Sequence, residues 1–265
     1  MKTMHTLEIV ILGAIQGLTE FIPISSSGHL VIAQNFFSGA SDHLYLEFIN
    51  IGTILALLVY FRKRISNIMH DIIFSKKYKL ALNILITAIP AGLVGFMAAG
   101  FIESSDFFGS LITVTVGLAV IGLIMVVLES VPRASVVKDG ESLSGRRAAL
   151  IGLAQVLALI PGVSRSGATI IAGRLAGLGA APAAEYSFLA SLPIMFGVTL
   201  KIFMSDTDYL LANMQALILG NLVAFTAGVL AVGFLMKYLS THSLAIFGWY
   251  RIGLSGILAV VLLLQ

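Results

Sequence analysis

Six apolar runs, residues 44–61, 80–102, 111–128, 183–204, 217–236 and 244–264, are each long enough to cross a bilayer as a helix. The hydrocarbon layer is about 30 Å thick, so a helical span needs roughly 20 predominantly apolar residues. Lipid offers no hydrogen bonds to the backbone, which leaves helices or closed barrels as spanning structures, and runs of this length select helices. Only 11% of the 265 residues are charged, too few to cover a water-exposed domain of this length. The expected fold class is therefore an all-α polytopic membrane protein, a single integral membrane domain over residues 1–265. The absence of cysteine excludes disulfides, thiolate metal sites and thiol nucleophiles. Lys2 precedes an apolar run with no small-residue cleavage site after it, so the N-terminus reads as mature sequence and not as a signal peptide.

Two further apolar stretches are interrupted. Residues 6–22 stop at Pro23, a polar stretch follows over 25–29, and a short apolar piece 30–37 leads to a polar, turn-like 38–44. In the second half, apolar 148–160 breaks at 161–167 and resumes over 168–178. Such short pieces around a Pro/Ser/Gly break predict re-entrant helical hairpins, because broken backbone at membrane depth is tolerated only where protein or a cavity surrounds it. Loop 62–79 carries six Lys/Arg and linker 129–147 carries Arg133, Lys138, Arg146 and Arg147. Loops 103–110 and 205–214 carry none. The positive-inside rule then puts the first two in the cytoplasm, the other two outside, and both termini outside. The first hairpin enters from the outside and the second from the cytoplasm.

An internal repeat agrees with this. A shift of 139 residues lays Gly13 on Gly152, Gln16 on Gln155, Ser25 on Ser164, Ser27 on Ser166 and Gly28 on Gly167. Repeat one covers 1–130, a cytoplasmic linker 131–147 and repeat two 148–265. Each half has an odd number of spans, so the expectation is an inverted-topology repeat of six transmembrane helices and two opposed hairpins, with a site at the repeat interface.

The interruptions carry the chemistry. The stretch from Gln16 to His29 holds Gln16, Glu20, Ser25, Ser26, Ser27 and His29 within apolar sequence, and the second break holds Ser164, Arg165 and Ser166. Ionisable groups at membrane depth are costly and point to a site. Each break precedes a helix-like segment whose start presents free N–H groups and a positive dipole end, an anion-binding arrangement. Gly28 and Gly167 let an oxyanion approach the backbone. Ser25, Ser27, Gly28, Ser164, Ser166 and Gly167 are thus the candidate phosphate-binding residues, and Arg165 adds a permanently charged fork. Ser26 needs a base to attack phosphorus; His29, three residues on, suits that role, and Glu20 can orient it in a triad-like relay. Gln16 and Glu20, four apart, share a helix face and can instead hold a divalent cation bridged to phosphate.

These residues, Q-G-L-T-E-F-I-P-I-S-S-S-G-H and P-G-V-S-R-S-G-A-T, resemble the bacitracin-resistance family of undecaprenyl-diphosphate phosphatases. The similarity runs over essentially the whole chain, including Glu47, Asn50 to Leu55, Glu185 to Phe188 and Tyr250-Arg251. It implies a membrane hydrolase that removes the terminal phosphate of the polyprenyl diphosphate carrier and so returns it to cell-wall synthesis. It further implies dependence on Mg2+ or Ca2+, the bacterial plasma membrane, and a site open to the outer face. The catalytic set carried over is Ser26, His29, Glu20 and Arg165, with either Ser26 or His29 as nucleophile. The chain departs from the family's commoner form at Gln16, where a glutamate is usual, and this weakens a two-carboxylate metal site. No nucleic-acid partner is expected, and a homodimer stays open.

Other readings stand beside these. Arg174 snorkels or pairs; Glu47 and Glu185 sit at span ends and read as interfacial, or as ties to a hairpin. His5, His43, His70 and His242 read as solvated. Trp249, Tyr250 and Arg251 read as an interfacial belt with a snorkelling cation, and Gly117 and Gly122 as close-packing positions. A lipid transporter or flippase, or an anion channel, could use the arginine and serines, but neither needs a hydroxyl, imidazole and carboxylate together.

Overall fold

The computed structural model describes residues 5–33, 37, 42–131 and 135–264, leaving aside the side chain of Glu103. Lys2, the end of the apolar piece 30–37, most of the turn 38–44 and Arg133 lie outside the described residues.

Among the described residues the chain is helical, and six helices are long and apolar enough to cross a membrane: α3 (His43–Tyr60), α5 (Lys79–Met97), α8 (Leu111–Ser130), α11 (Ala180–Ser205), α13 (Met214–Leu239) and α14 (Ala245–Leu264). They coincide with the six apolar runs. Each broken stretch forms two shorter helices: α1 (Thr6–Phe21) and α2 (Ser26–Ala33), then α9 (Gly145–Val156) and α10 (Arg165–Leu175). Short helices also occupy stretches expected as loops, α4 (Arg62–Ile73), α7 (Asp106–Gly109) and α12 (Thr207–Ala212), and another, α6 (Ala99–Ser104), takes the end of the expected span 80–102. The expected span 80–102 therefore divides at Ala98, whose ψ of 2° leaves the helical range between α5 and α6. Pro90 and Pro193 lie inside α5 and α11 without ending them, as spanning helices tolerate.

The helix starts follow side-chain caps. Asp42 accepts the N–H of Tyr45 at 3.0 Å to begin α3, Ser110 accepts that of Ile112 to begin α8, and Ser144 that of Arg147 to begin α9. Apolar side chains are sorted for a lipid solvent. Leu82, Ile89 and Leu93 of α5 and Ile218 and Leu222 of α13 face outward. The interior gathers Phe21, Leu57, Met125, Val163 and Phe188 into one cluster, with Phe21 and Phe188 edge to face at 5.6 Å.

Packing interlaces the two halves. Helix α1 lies along α13 while α9 lies along α5, so each short helix leans on a long helix of the other half. Helix α8 packs on α14, and α10 on α11. Small residues make the approach feasible: a Cβ on Gly117 of α8 would lie 2.8 Å from the carbonyl oxygen of Pro161, and one on Gly122 2.9 Å from that of Gly248. The alternatives left for Arg174 and Glu185 resolve into ion pairs. Arg174 holds Glu129 with a two-pronged contact at 3.1 and 3.3 Å, and Glu185 holds Arg64 at 2.9 Å. His5, His43, His70 and His242 are exposed.

Candidate active site

The two breaks are built alike. Ile22, before Pro23, and Ile160, before Pro161, both take extended backbone (ψ 129° and 121°), as a residue preceding proline prefers. Each helix therefore stops there. Ser25 and Ser164 then adopt φ of +76° and +73°, a left-handed conformation that costs a non-glycine residue roughly 1–3 kcal/mol. In each, the hydroxyl turns back to accept the N–H three residues on: Gly28 N–H to Ser25 Oγ at 3.2 Å, and Gly167 N–H to Ser164 Oγ at 3.1 Å. Ser27 and Ser166 contact these same hydroxyls at 3.3 and 3.2 Å. The 139-residue shift thus relates two copies of one capping device.

A side chain read as interfacial joins them. Arg251 of α14 is wholly buried; its guanidinium donates to the carbonyl of Pro23 at 3.0 Å, to that of Val163 at 2.9 Å, and to that of Gly162. The snorkelling reading is therefore corrected. A buried guanidinium costs least where several carbonyl dipoles replace its water, and the two loops supply them. Trp249 beside it is 61% exposed, as an interfacial ring would be.

Glu20 occupies the meeting point. Its Oε1 takes a hydrogen-bonded ion pair from Arg165 at 2.6 Å, and its Oε2 accepts from Ser26 Oγ at 2.7 Å and from Gln16 Nε2 at 3.1 Å. Gln16 Nε2 also donates to Asn50 Oδ1 at 2.5 Å. Ser166 donates to the Glu20 backbone carbonyl at 3.4 Å. The two loops thus converge on one carboxylate, and α3 is tied to it through Gln16. The relay expected from the sequence takes a different form: His29 Nδ1 meets the carbonyl of Ser25 at 2.7 Å and Nε2 meets the hydroxyl of Tyr250 at 2.8 Å. A carbonyl only accepts, so Nδ1 carries the proton and Nε2 accepts from Tyr250. The rings also stack, with centroids 5.8 Å apart. Glu20 therefore partners Ser26 directly, and its expected hydrogen bond to His29 is replaced by the pairing of His29 with Tyr250.

Beside Glu20 and Arg165 opens a cavity of about 110 Å³, lined also by Glu47, Asn50, Met195 and Thr199. Glu47 was read as interfacial; it faces the same space as Glu20. Four site residues, Glu47, Asn50, Tyr250 and Arg251, were missed as actors, although each sits in a stretch that carried the family resemblance. Among the described residues no three His, Asp or Glu groups form a closed metal cage. Two carboxylates and an amide oxygen on one cavity nonetheless suit a hard cation that keeps its waters and shares phosphate oxygens. Gln16 turns its N–H groups toward Glu20 and Asn50, and Glu47 and Asn50, not Gln16, line the cavity with Glu20.

The profile of the family described as Bacitracin resistance protein BacA matches residues 9–257. A protein of Rubrobacter xylanophilus named undecaprenyl-diphosphatase is 38% identical over 276 residues, covering 98% of this chain and all of the relative. One of Acinetobacter baumannii with the same name is 36% identical, covering 98% of this chain and 97% of the relative. A third, undecaprenyl-diphosphatase 1 of Clostridioides difficile, is 36% identical over 95% of both chains. With both signature loops converging on Glu20 and a match from end to end, the chain belongs to the bacitracin resistance protein BacA family.

Proposed function

We infer that this chain is a membrane phosphatase that hydrolyses undecaprenyl diphosphate to undecaprenyl phosphate and inorganic phosphate, returning the carrier to cell-wall synthesis. The single observation that carries the mechanism is Glu20 held between Ser26 and Arg165. In the free enzyme the guanidinium neutralises the carboxylate. An arriving diphosphate competes for Arg165, because phosphate oxygens fit its fork as well as a carboxylate does. Glu20 is then released from its cation and becomes a stronger base toward Ser26. Substrate binding and nucleophile activation are thereby one event.

The Ser26 oxygen attacks the terminal phosphorus, and its proton passes to Glu20. The bond from that phosphorus to the bridging oxygen breaks, and the lipid monophosphate leaves with the electron pair. Glu20 gives its proton to solvent in the cavity and takes one from a water as that water attacks the phosphoserine phosphorus; the bond from phosphorus to the Ser26 oxygen breaks, inorganic phosphate leaves, and Glu20 returns the proton to the Ser26 oxygen. Arg165 and the N–H groups at the starts of α2 and α10 stabilise the oxyanion charge. Were a Mg2+ or Ca2+ ion bound, Glu47 and Asn50 would be the residues to hold it, and it would supply further positive charge to the phosphoryl oxygens. His29, fixed by Tyr250, supports the loop at Ser25.

We place the two halves in opposite topology, each contributing one re-entrant hairpin, with the cavity toward the outer leaflet. The matched φ angles and caps at Ser25 and Ser164 support the repeat. Glu47 lies near the end of α3 remote from Arg62, Lys63 and Arg64, and Thr199 near the end of α11 that leads to Asp206 and Asp208. The site therefore sits toward the side without basic loops. A cysteine at Ser105 or Asp206 is expected to react with an impermeant reagent on intact cells, and one at Ser142 to remain unlabelled; labelling at Ser142 would reverse the orientation.

The activity is tested by phosphate release from a farnesyl-type diphosphate with detergent-purified protein. Ser26→Ala is expected to lose roughly two orders of magnitude or more in kcat, and His29→Gln, which removes only a support, considerably less. Parental rates from Ser26→Ala would reject Ser26 as nucleophile. Transfer of the lipid across vesicles without any phosphate appearing would favour a flippase, which the interlaced halves also suit.

A further inference from the structure

Helix α4 is the one amphipathic helix of 12 residues or more among the described residues with no buried side chain. Its apolar residues, Ile65, Ile68, Met69, Ile72 and Ile73, recur at the spacing of one helix face. The row begins in the protein and ends outside it. Ile65 and Ile68 pack against the large core cluster, whereas Ile73 is 58% and the following Phe74 73% exposed. Arg64 is fixed by Glu185, which sets the rotation of the helix at its start. At its far end the N–H of Lys77 returns to the carbonyl of Asp71 at 2.9 Å, with Lys76 at φ +52°, so the basic turn is folded back beside the helix.

The charges on this stretch are one-sided. Arg62, Lys63, Lys76, Lys77 and Lys79 are exposed, and among the described residues none of them meets a carboxylate. Asp71 is the single acid between residues 62 and 79. An apolar row that runs out of the core to exposed Ile73 and Phe74, flanked by unpaired cations on the side the positive-inside rule assigns to the cytoplasm, has one fitting occupant. We propose that α4 and the turn 74–79 form an in-plane docking surface for anionic phospholipid headgroups of the cytoplasmic leaflet. Ile73 and Phe74 enter the acyl boundary, and the lysines hold the headgroup phosphates. Such helices bind by buried apolar area together with attraction to anionic lipid.

The chain has no cysteine, so Ser75→Cys gives one attachment point for a fluorophore in the full-length protein. The labelled protein is placed in vesicles of phosphatidylcholine and phosphatidylglycerol, with a quencher carried near the headgroup of one lipid or the other. Quenching is expected to be several-fold stronger from phosphatidylglycerol, and to weaken as salt is raised. Each cation near an anionic surface changes the preference by about fivefold. The combined Lys76→Gln, Lys77→Gln and Lys79→Gln variant is therefore expected to lose the preference, with quenching from the two lipids becoming nearly equal. These side chains are exposed, so the fold stands without them. Equal quenching by both lipids, an unchanged preference in the variant, or quenching only by iodide from water would each overturn the proposal. None of these readouts depends on phosphatase activity, so the result stands apart from the assignment of the reaction.

Discussion

Glu20→Gln is expected to abolish most hydrolysis while leaving substrate binding intact or tighter. The side chain keeps its shape, so the contacts from Gln16 and the position of the first loop survive. The base is gone, however: the amide oxygen that replaces Oε2 still accepts from Ser26, 2.7 Å away in the parent, but cannot take its proton. General-base catalysis is worth about 10²–10⁴ in rate, so kcat is expected to fall by that range. The change in KM carries the more specific information. In the parent, Arg165 is engaged by the same carboxylate at 2.6 Å, and substrate must displace it. With glutamine the guanidinium is unneutralised and the diphosphate meets no competitor, so KM holds or drops. Steady-state phosphate release, with lipid binding measured separately, checks both halves. A kcat within tenfold of the parent would remove Glu20 as base, and a large rise in KM would refute the competition for Arg165. Arg165→Ala is the complement: it leaves a half-buried carboxylate without its cation, and both binding and turnover are expected to suffer.

Arg251→Met is expected to be the most damaging substitution distant from the reacting atoms. Methionine fills similar volume but donates nothing, so the carbonyls of Pro23, Gly162 and Val163 lose their shared partner. An unsatisfied buried polar group costs about 1–3 kcal/mol, so the loss is expected to reach roughly 3 kcal/mol or more. Through the usual scaling this lowers the unfolding temperature by about 6 °C or more. Hydrolysis fails at temperatures where the protein is still folded, because Ser26 and Arg165 sit on different loops and no longer share a frame. Arg251→Lys retains the charge, but a point ammonium does not fork to three carbonyls, so partial recovery of stability with low kcat is expected. Thermal unfolding in detergent alongside phosphate release separates the two effects. Normal stability and normal turnover in Arg251→Met would show that the loops are held together by other contacts.

The order in which these residues became legible follows from physics. The spans were readable because length and apolarity are additive along the chain, and lipid enforces them segment by segment. The breaks were readable because Pro23 and Pro161 act on their immediate neighbours. Ser25 and Ser164 declared themselves through a repeat, and their hydroxyls cap the helix three residues on, a strictly local act. Helix α4 was read as a loop because its basic residues dominate the hydropathy signal, although the apolar spacing from Ile65 to Ile73 was present.

Arg251 and His29 mark the limit of that locality. A Trp-Tyr-Arg run near the start of a span has the composition of an interfacial belt, and nothing within α14 distinguishes a snorkelling arginine from a buried one. The distinction comes from Gly122 and Gly248, which let α8 and α14 approach closely, so that the guanidinium points inward at carbonyls 88 to 228 residues away in sequence. His29 lies near Ser26 in the chain, but its nitrogens are claimed by Ser25 and by Tyr250, 221 residues distant. The sequence by itself determined the solvent, the spans, the broken helices and the inventory of reactive groups, because each is set by neighbours in the chain. Only the tertiary structure decided the pairing, with Glu20 on Ser26 and Arg165, His29 on Tyr250, and Arg251 on both loops. Hydrogen bonds are directional and short, and the choice among polar partners in a dry interior is made by the helices that bring them within reach.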